Sequence, residues 1–232
     1  MSSSSGPLRA EPSHAELSRG EPSHDCPLCP RLVAFRNQNR AAFPNWFNGP
    51  VPSLEPTGGK KNVRLLIVGL APGLKGANRT GRPFTGDAAG ELLYPALLKA
   101  GLATGVYEAR PDDTLKLKNC MISNAVRCVP PQNKPIGAEE ANCRVFLKAT
   151  IESLPALSVI LALGTVAHNN VIKVLGGRLS ACRFAHGKVH KIAGYHLIDS
   201  YHCSRYNLNT GVLTPAMFNA VIGQASRLLN KA

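Results

Sequence analysis

The sequence predicts an α/β fold of three layers, in which a central parallel sheet of four strands lies between two layers of helices. Four short apolar runs predict the strands, at residues 64–68, 121–123, 158–163 and 195–199. They alternate along the chain with segments of helical periodicity, and such alternation is typical of a parallel sheet covered on both faces. At 232 residues, the chain is also long enough for one domain with a large core.

The helices are indicated by the spacing of apolar residues and by signals at their ends. Helical periodicity covers four segments, at residues 88–100, 138–153, 165–175 and 214–229. The last of these begins at Thr214-Pro215, a favourable pair for an N-cap and a first helical position. Residues 32–47 are rich in Arg, Asn and aromatic side chains, and they predict a further helix followed by a loop.

The N-terminal segment stands outside this pattern. Residues 1–22 contain no apolar stretch, and the motif Glu-Pro-Ser-His occurs at residues 11–14 and again at 21–24. We interpret them as a disordered tail, and residues 23–232 as a single domain. The sequence shows neither a signal peptide nor a run of about 18 apolar residues, so we expect a cytoplasmic protein without a membrane span.

The charge of the chain indicates its kind of partner. Lys and Arg number 27 against 14 Asp and Glu, which gives a formal net charge of +13. A surplus of this size favours a polyanion as partner, and nucleic acid is the usual one. The basic residues are spread among the predicted loops, and no basic amphipathic helix stands out, so a membrane surface is the weaker alternative.

Residues 69–90, GLAPGLKGANRTGRPFTGDAAG, form a long loop between the first predicted strand and the first predicted sheet-covering helix. This loop contains six glycines, which allow a backbone to approach a ligand closely. It matches neither G-x-x-x-x-G-K-[ST] nor G-x-G-x-x-G, which disfavours a nucleotide cofactor. Two interpretations stay open: a pocket for a base or sugar-phosphate with Phe84 as a stacking surface, or an ordered loop whose phenylalanine fills the core.

The segments of unusual composition all follow a predicted strand. Residues 69–87 follow the first strand, Asn124 ends the second, Gly164 follows the third, and residues 200–207 follow the fourth. Ligands of parallel α/β sheets bind beyond the carboxyl ends of the strands. We therefore expect these segments to meet in one site.

Four of the seven cysteines have the spacing of a metal site. Cys26 and Cys29 form a C-x2-C pair, and Cys128 and Cys143 supply a second pair with fourteen residues between them. Four thiolates can hold a [4Fe–4S] cluster or a zinc ion, and the spacing does not choose between them. We interpret the remaining three as non-ligands: Cys120, Cys182 and Cys203.

Three segments form a characteristic set: Gly69–Gly73 (GLAPG), Gly76–Asp87 (GANRTGRPFTGD) and Tyr201–Asn207 (YHCSRYN). Together they resemble the uracil-DNA glycosylase superfamily, in particular its family 5, the type-b enzymes with an iron–sulfur cluster. The resemblance extends over roughly residues 26–230. It implies that a [4Fe–4S] cluster is the cofactor, that it has a structural role, and that its ligands are Cys26, Cys29, Cys128 and Cys143.

The resemblance also implies roles for individual residues. Similar enzymes flip a base out of the duplex and hold it in a pocket. Phe84 is then expected to stack on the base, Asn124 to bond its Watson–Crick edge, and His202 to bond the base oxygen that gains charge. Asp87 is expected to activate water, although its place before a helix also suits an N-cap. The other residues expected to bind substrate are Gly69, Ala71, Gly73, Ser204, Arg205 and Asn207.

Two departures from the family pattern affect the expected specificity. The chain has His202-Cys203-Ser204 where the family usually shows His-Pro-Ser, which loosens this loop. Leu70 and Ala71 stand where uracil-specific relatives carry Asp, Asn or Glu, and neither can activate water. A pocket with fewer polar contacts discriminates less well, so we expect action on other deaminated bases, such as hypoxanthine or xanthine, besides uracil.

These features predict a monomeric, monofunctional DNA glycosylase of base excision repair that acts on deaminated bases in double-stranded DNA. It would leave an abasic site without cutting the strand, because no lysine stands out as a Schiff-base nucleophile. The alternative is a non-catalytic protein that binds damaged bases in DNA. A third interpretation, a superfamily member that links covalently to uracil-DNA, is disfavoured because residues 75–82 contain no histidine.

Overall fold

Residues 11–230 of the chain are described by a computed structural model. In chain order, its helices are α1 (His14–Arg19), α2 (Pro30–Ala42), α3 (Ala77–Thr80), α4 (Ala88–Lys99), α5 (Gly137–Glu152), α6 (Thr165–Val174), α7 (Arg205–Asn209) and α8 (Pro215–Leu229). Its strands are β1 (Leu65–Gly69), β2 (Ala103–Thr104), β3 (Lys116–Leu117), β4 (Cys120–Asn124), β5 (Val159–Leu163), β6 (Val189–Ile192) and β7 (Tyr195–Ser200).

Five strands form the central sheet, in the order β4-β1-β5-β7-β6. The four predicted strands correspond to β1, β4, β5 and β7, which pair in parallel, so the predicted fold class is confirmed. The predicted number of strands was one too few, because β6 pairs antiparallel with β7 at the sheet edge. Ala193 and Gly194 join these two strands with φ values of 49° and 85°, as expected for a two-residue hairpin turn of type I′.

The strands divide the core into two halves, one on each face of the sheet. Along β1, Leu65 and Ile67 belong to the half that contains residues of α4 and α8. Leu66 and Val68 belong to the half that contains residues of α5 and α6. All five residues of β1 are buried, which is why this strand reads as a continuous apolar run.

The helices α4, α5, α6 and α8 begin and end within one residue of their predicted bounds. Thr214 caps α8 as predicted, since its Oγ1 accepts a hydrogen bond of 3.2 Å from the backbone N–H of Met217, and Pro215 follows at the first helical position. Among residues 11–230, no helix has the length and apolar character needed to cross a membrane.

The N-terminal segment differs from its prediction in part. Residues 1–10 of the predicted disordered tail lie outside the described residues. Residues 11–22 contain α1, where Ser13 and Glu16 form a reciprocal capping box. Beyond the helix, Glu21 forms an ion pair with the buried Arg127, and Thr150 Oγ1 donates a hydrogen bond of 3.1 Å to the carbonyl of Gly20. These contacts hold residues 11–22 against the domain, where the sequence shows only polar, low-complexity composition.

The carboxyl ends of the parallel strands meet at one edge of the sheet. Gly69 of β1 is in register with Asn124 of β4, and Leu163 of β5 is in register with Ser200 of β7. The loops after these strands therefore leave the sheet side by side, where the sequence places its unusual segments.

Candidate active site

A cavity of about 680 Å³ opens at this edge, a volume suited to a small planar ligand. Eight of the ten residues predicted to act in catalysis or substrate binding line it: Ala71, Gly73, Phe84, Asp87, Asn124, His202, Ser204 and Arg205. Lys75, Arg79 and Asn133 also line the cavity but were missed from the sequence. All three could have been proposed from the sequence, because Lys75 and Arg79 belong to the glycine-rich loop and Asn133 belongs to the proline-rich stretch after Cys128.

Gly69 forms the floor beneath Phe84 and Asn124. A Cβ atom at this position would lie 2.4 Å from Oδ1 of Asn124 and 2.5 Å from Cζ of Phe84. Only glycine therefore allows the ring and the amide to approach the end of β1. Phe84 itself has a φ of 52°, an unusual left-handed conformation for an aromatic residue, and its side chain is largely buried.

The side-chain oxygen of Asn124 is buried and has no hydrogen-bond partner among the described residues. Leaving a buried polar atom unpaired costs about 1–3 kcal/mol, so native proteins rarely do it without a functional reason. Because Asn124 also lines the cavity, a ligand with a hydrogen-bond donor can satisfy this oxygen.

His202 faces the cavity with its ring 6.1 Å from that of Phe84, measured between centroids, and at an angle of 28°. Burial lowers the pKa of His202 to about 4, so the imidazole is neutral at pH 7. Within residues 11–230, neither ring nitrogen has a hydrogen bond to another protein group. One of the two carries a proton, which makes His202 an uncharged donor toward the cavity.

Hydrogen bonds made by Asn207 and Ser204 fix the loop that carries His202. Asn207 Nδ2 donates a hydrogen bond of 2.8 Å to the backbone carbonyl of His202, and Ser204 Oγ caps α7 by accepting from the backbone N–H of Asn207. Cys203, which replaces the family's proline, is fully buried in the core. Asn207 thus lies behind the His202 loop rather than on the cavity wall, whereas the exposed Arg205 lies at the rim.

The two carboxylate oxygens of Asp87 face different surroundings. Oδ1 caps α4 and accepts hydrogen bonds of 3.1 Å and 3.4 Å from the backbone N–H groups of Ala89 and Gly90. Oδ2 faces the loop instead, where a Cβ at Gly73 or Gly76 would lie 2.9 Å or 2.2 Å from it. Burial raises the pKa of Asp87. Capping and a role in the cavity are therefore compatible, with one oxygen for each.

The four predicted cysteine ligands line a second, much smaller cavity together with the apolar residues Leu32, Val126 and Phe146. They are Cys26, Cys29, Cys128 and Cys143. Cys120, Cys182 and Cys203 lie elsewhere in the described structure. Burial raises the pKa of all four thiols of the set, that of Cys128 to about 12. A positive metal centre would offset this penalty on the thiolate form.

The spacing of these sulfur atoms bears on which metal group fits. Among the described residues, only His168, His190 and Asp199 bring three ligand atoms within 4.8 Å of one another. Among these residues, no three of the four cysteine sulfurs form such a group. A tetrahedral zinc site with Zn–S bonds of about 2.3 Å holds its sulfurs roughly 3.8 Å apart, and a cluster with one thiolate on each of four irons separates them further. Four thiols around one small cavity are a donor set that can hold a [4Fe–4S] cluster.

Backbone and amide groups also point at these sulfurs. The backbone N–H of Arg127 donates to Sγ of Cys143 at 3.2 Å, and Asn142 Nδ2 lies 3.8 Å from Sγ of Cys29. Hydrogen bonds of this kind stabilise thiolate ligands and orient them.

The carboxyl edge of this parallel sheet thus brings an aromatic ring, an unpaired amide oxygen and a neutral imidazole to one cavity. The chain belongs to the uracil DNA glycosylase superfamily, whose family model matches residues 56–225. The resemblance seen in the sequence is confirmed.

Individual relatives support this assignment. The chain is 44% identical to a Type-5 uracil-DNA glycosylase of Thermus thermophilus, over 88% of this chain and 93% of the relative. It is 38% identical to a Type-5 uracil-DNA glycosylase of Pyrobaculum aerophilum, over 87% of this chain and 88% of the relative. A Type-4 uracil-DNA glycosylase of the same organism is 32% identical, over 63% of this chain and 69% of that relative.

Proposed function

We propose that this protein is a monofunctional DNA glycosylase that hydrolyses the N-glycosidic bond of uracil, and of other deaminated bases such as hypoxanthine, in double-stranded DNA. It would thereby initiate base excision repair. The observation that carries the proposal is the buried, unpaired amide oxygen of Asn124, a residue that lines one cavity together with Phe84 and His202. The names of the relatives support uracil as a substrate.

The amide of Asn124 limits which bases can pair with it, because it needs a matching donor and acceptor on the base. Uracil carries an N–H donor next to a carbonyl acceptor, and an asparagine amide can pair with both. Hypoxanthine and xanthine carry the same N–H and carbonyl pair, and so do the undamaged bases thymine and guanine. Cytosine and adenine present a ring-nitrogen acceptor next to an amino donor instead. An amide held with its oxygen toward the ring N–H therefore discriminates against cytosine and adenine, but not against thymine or guanine.

His202 and Asp87 would act on opposite sides of the breaking bond. As the base leaves, negative charge collects on its carbonyl oxygen, and the neutral imidazole of His202 can donate a hydrogen bond to it. The sugar becomes cationic, and the uncapped Oδ2 of Asp87 can orient the attacking water or stabilise that charge. The apolar side chains of Leu70 and Ala71 close the cavity without adding a further polar contact to the base.

The rim suits a DNA partner. Lys75, Arg79 and Arg205 are exposed at the mouth of the cavity, where they can contact phosphates on either side of a flipped nucleotide. One chain supplies all of these groups, which agrees with a monomer. Lys75 is also the lysine to examine for a Schiff base, and a monofunctional enzyme predicts that borohydride traps no covalent complex with DNA.

We further propose that the four cysteines hold a [4Fe–4S] cluster with a structural role. It would tie the N-terminal arm, through Cys26 and Cys29, to the segment after β4 and to α5. Iron and acid-labile sulfide analysis of protein purified without oxygen tests this, with four irons per chain as the expected result. One zinc per chain and no sulfide would contradict it.

The function itself is tested with matched labelled duplexes that contain uracil, hypoxanthine or neither, followed by alkali to cut abasic sites. We expect cleavage of the first two and none of the third. Cleavage of uracil alone would contradict the broader specificity. Tight binding without any cleavage would instead favour a damage-binding protein, an alternative supported by the apolar Leu70 and Ala71.

A further inference from the structure

Phe84 holds a backbone conformation that costs free energy. A φ of 52° is disfavoured in a residue other than glycine, and it persists only where the surroundings enforce it. Because the direction of the ring depends on this backbone, whatever enforces the conformation also sets the position of the stacking surface.

Hydrogen bonds from two tyrosines hold the peptide groups before and after the Phe84 side chain. The hydroxyl of Tyr94, from α4, donates a hydrogen bond of 2.6 Å to the carbonyl of Pro83. The hydroxyl of Tyr107, from the loop between β2 and β3, donates one of 3.3 Å to the carbonyl of Phe84. At Gly90 a Cβ would lie 1.8 Å from this second carbonyl, so α4 can approach it only because residue 90 is glycine.

Arg82 connects these groups. Its guanidinium makes two hydrogen bonds of 2.7 Å to the carboxylate of Asp113, and its Nε donates to Thr85 Oγ1, also at 2.7 Å. The same guanidinium lies 5.4 Å and 5.8 Å from the ring centroids of Tyr94 and Tyr107. Both charged residues are more than nine-tenths buried.

Asp113 in turn fixes the loop that carries Tyr107. Its carboxylate accepts hydrogen bonds from the backbone N–H groups of Glu108, at 3.0 Å, and Leu115, at 3.1 Å. The Arg82–Asp113 pair therefore clamps the loop of residues 105–115 to the segment that contains Phe84. Neither Arg82 nor Asp113 lines the substrate cavity.

We propose that Arg82, Asp113 and Tyr107 are positioning residues that hold Phe84 at stacking distance from the flipped base. The loop between β2 and β3 thereby becomes part of the base-recognition apparatus without touching the base. This inference rests on the proposed function, since it requires Phe84 to stack on a base.

The test compares two variants with the same chemical change. Arg82→Lys removes the two-pronged pairing with Asp113, whereas Arg110→Lys alters an exposed ion pair on the same loop and serves as the control. The affinity of each protein is measured for free uracil and for a duplex that contains an abasic site. Stacking contributes to the first and not to the second, so a displaced Phe84 weakens only the first.

We expect Arg82→Lys to raise the inhibition constant of free uracil and the KM for a uracil duplex by roughly 10-fold or more, with unchanged affinity for the abasic duplex. Tyr107→Phe, which removes one hydroxyl and preserves the ring, should give a smaller rise of roughly 2- to 10-fold, and it remains informative if Arg82→Lys does not fold. Arg110→Lys should match the wild type.

Two results would overturn the proposal. One is unchanged affinity for free uracil in folded Arg82→Lys or Tyr107→Phe protein. The other is an equal weakening of uracil and abasic-duplex binding, which indicates general loosening of the fold. A wild-type protein that cleaves no uracil duplex would instead contradict the proposed function, so the two failures are distinct.

Discussion

Two buried polar clusters lie near the carboxyl edge of the sheet, and they differ in how well their groups are satisfied. In the substrate cavity, the oxygen of Asn124 has no partner and the ring of His202 makes no hydrogen bond within residues 11–230. In the second cluster, at the end of β7, Asp199 lies between His168 and His190, and hydrogen bonds satisfy all of its carboxylate oxygens.

The second cluster has the composition of a metal site but the bonding of a closed network. Asp199 Oδ1 is 2.7 Å from Nδ1 of His168, and Oδ2 is 3.0 Å from Nε2 of His190 and 3.1 Å from the backbone N–H of Ala185. The other ring nitrogen of His168 lies 2.7 Å from the carbonyl of Cys182. Both partners of His168 are acceptors, so its imidazole carries two protons and a positive charge.

Ligand atoms that lie close together are therefore a weaker indicator of function than buried polar atoms that lack hydrogen bonds. Both carboxylate oxygens of Asp199 are occupied by hydrogen bonds, and its network joins α6, β6 and β7 to one another. The cavity retains free acceptors and donors at a cost in stability, which binding of a base would recover.

Asn124→Ala and Asn170→Ala form the sharpest pair. We expect Asn124→Ala to lower the cleavage rate by about 10²–10³ without loss of stability, because it removes a base contact and an unpaired oxygen together. Asn170 is fully buried and satisfied by Arg144, Glu140 and the carbonyl of Val166, so its alanine variant should lose stability and retain activity. Single-turnover cleavage and urea unfolding measure the two effects. Similar stability losses in both variants would contradict the expectation that only Asn170→Ala destabilises the fold.

The carboxylate of Asp87 has one oxygen, Oδ1, that accepts two hydrogen bonds, and one, Oδ2, that accepts none from the described residues. Asparagine caps helices about as well as aspartate, so Asp87→Asn preserves the start of α4 and removes only the charge. We expect the cleavage rate to fall by about 100-fold at unchanged melting temperature. Near-normal activity would assign Asp87 to capping alone, and Asp87→Ala, which removes the cap as well, should melt lower than Asp87→Asn.

His168→Asn tests the satisfied cluster. Asparagine cannot pair with both Asp199 and the carbonyl of Cys182, so a buried carboxylate loses its charged partner. We expect a loss in the free energy of unfolding of about 3 kcal/mol, with activity per folded molecule unchanged. Activity that falls further than the folded fraction would place this network in the reaction after all.

The two histidines should also affect stability at opposite ends of the pH scale. The pKa of His202 is lowered from 6.5 to about 4, so the unfolded chain binds more protons in this interval and stability falls as pH drops through it. Burial alone would lower the pKa of His168, but the hydrogen bond and charge of Asp199 outweigh it and raise the pKa, so this contribution is lost as pH rises above 6.5.

Unfolding curves across pH check this pair of signs. His202→Asn should flatten the acid side of the stability profile by on the order of 1 kcal/mol, and His168→Asn should flatten the alkaline side. The reverse assignment, or equal flattening on both sides, would contradict the charge states described for the two clusters.

The parts of the fold that the sequence predicts are those with strong local patterns. The strand Leu65–Gly69 is buried on both faces and therefore apolar throughout, and α8 begins with an N-cap and a proline. The edge strand Val189–Ile192 was missed because it is short, contains His190 and Lys191, and is only partly buried. Its one sequence signal is the Ala-Gly pair that forms the hairpin turn.

The candidate active site likewise has parts that local sequence patterns predict and parts that they do not. The glycine-rich loop and the His202 motif are each continuous in sequence, and seven of their predicted residues lie together in the cavity, with Asn124 as the eighth. The Arg82–Asp113 and His168–Asp199 pairs each join residues 31 positions apart, and no local pattern connects their members. Pairings of this kind depend on the three-dimensional path of the chain, which composition and periodicity do not specify.

The order of the chain has a consequence for its synthesis on the ribosome. All four thiols of the cysteine cavity have been translated by residue 143, before β5, the middle strand of the sheet, emerges at Val159. His202 and the strand that presents it come later still. A nascent chain that stops between residues 143 and 159 has every cysteine of the proposed cluster site but lacks three strands of the central sheet and His202 of the candidate active site.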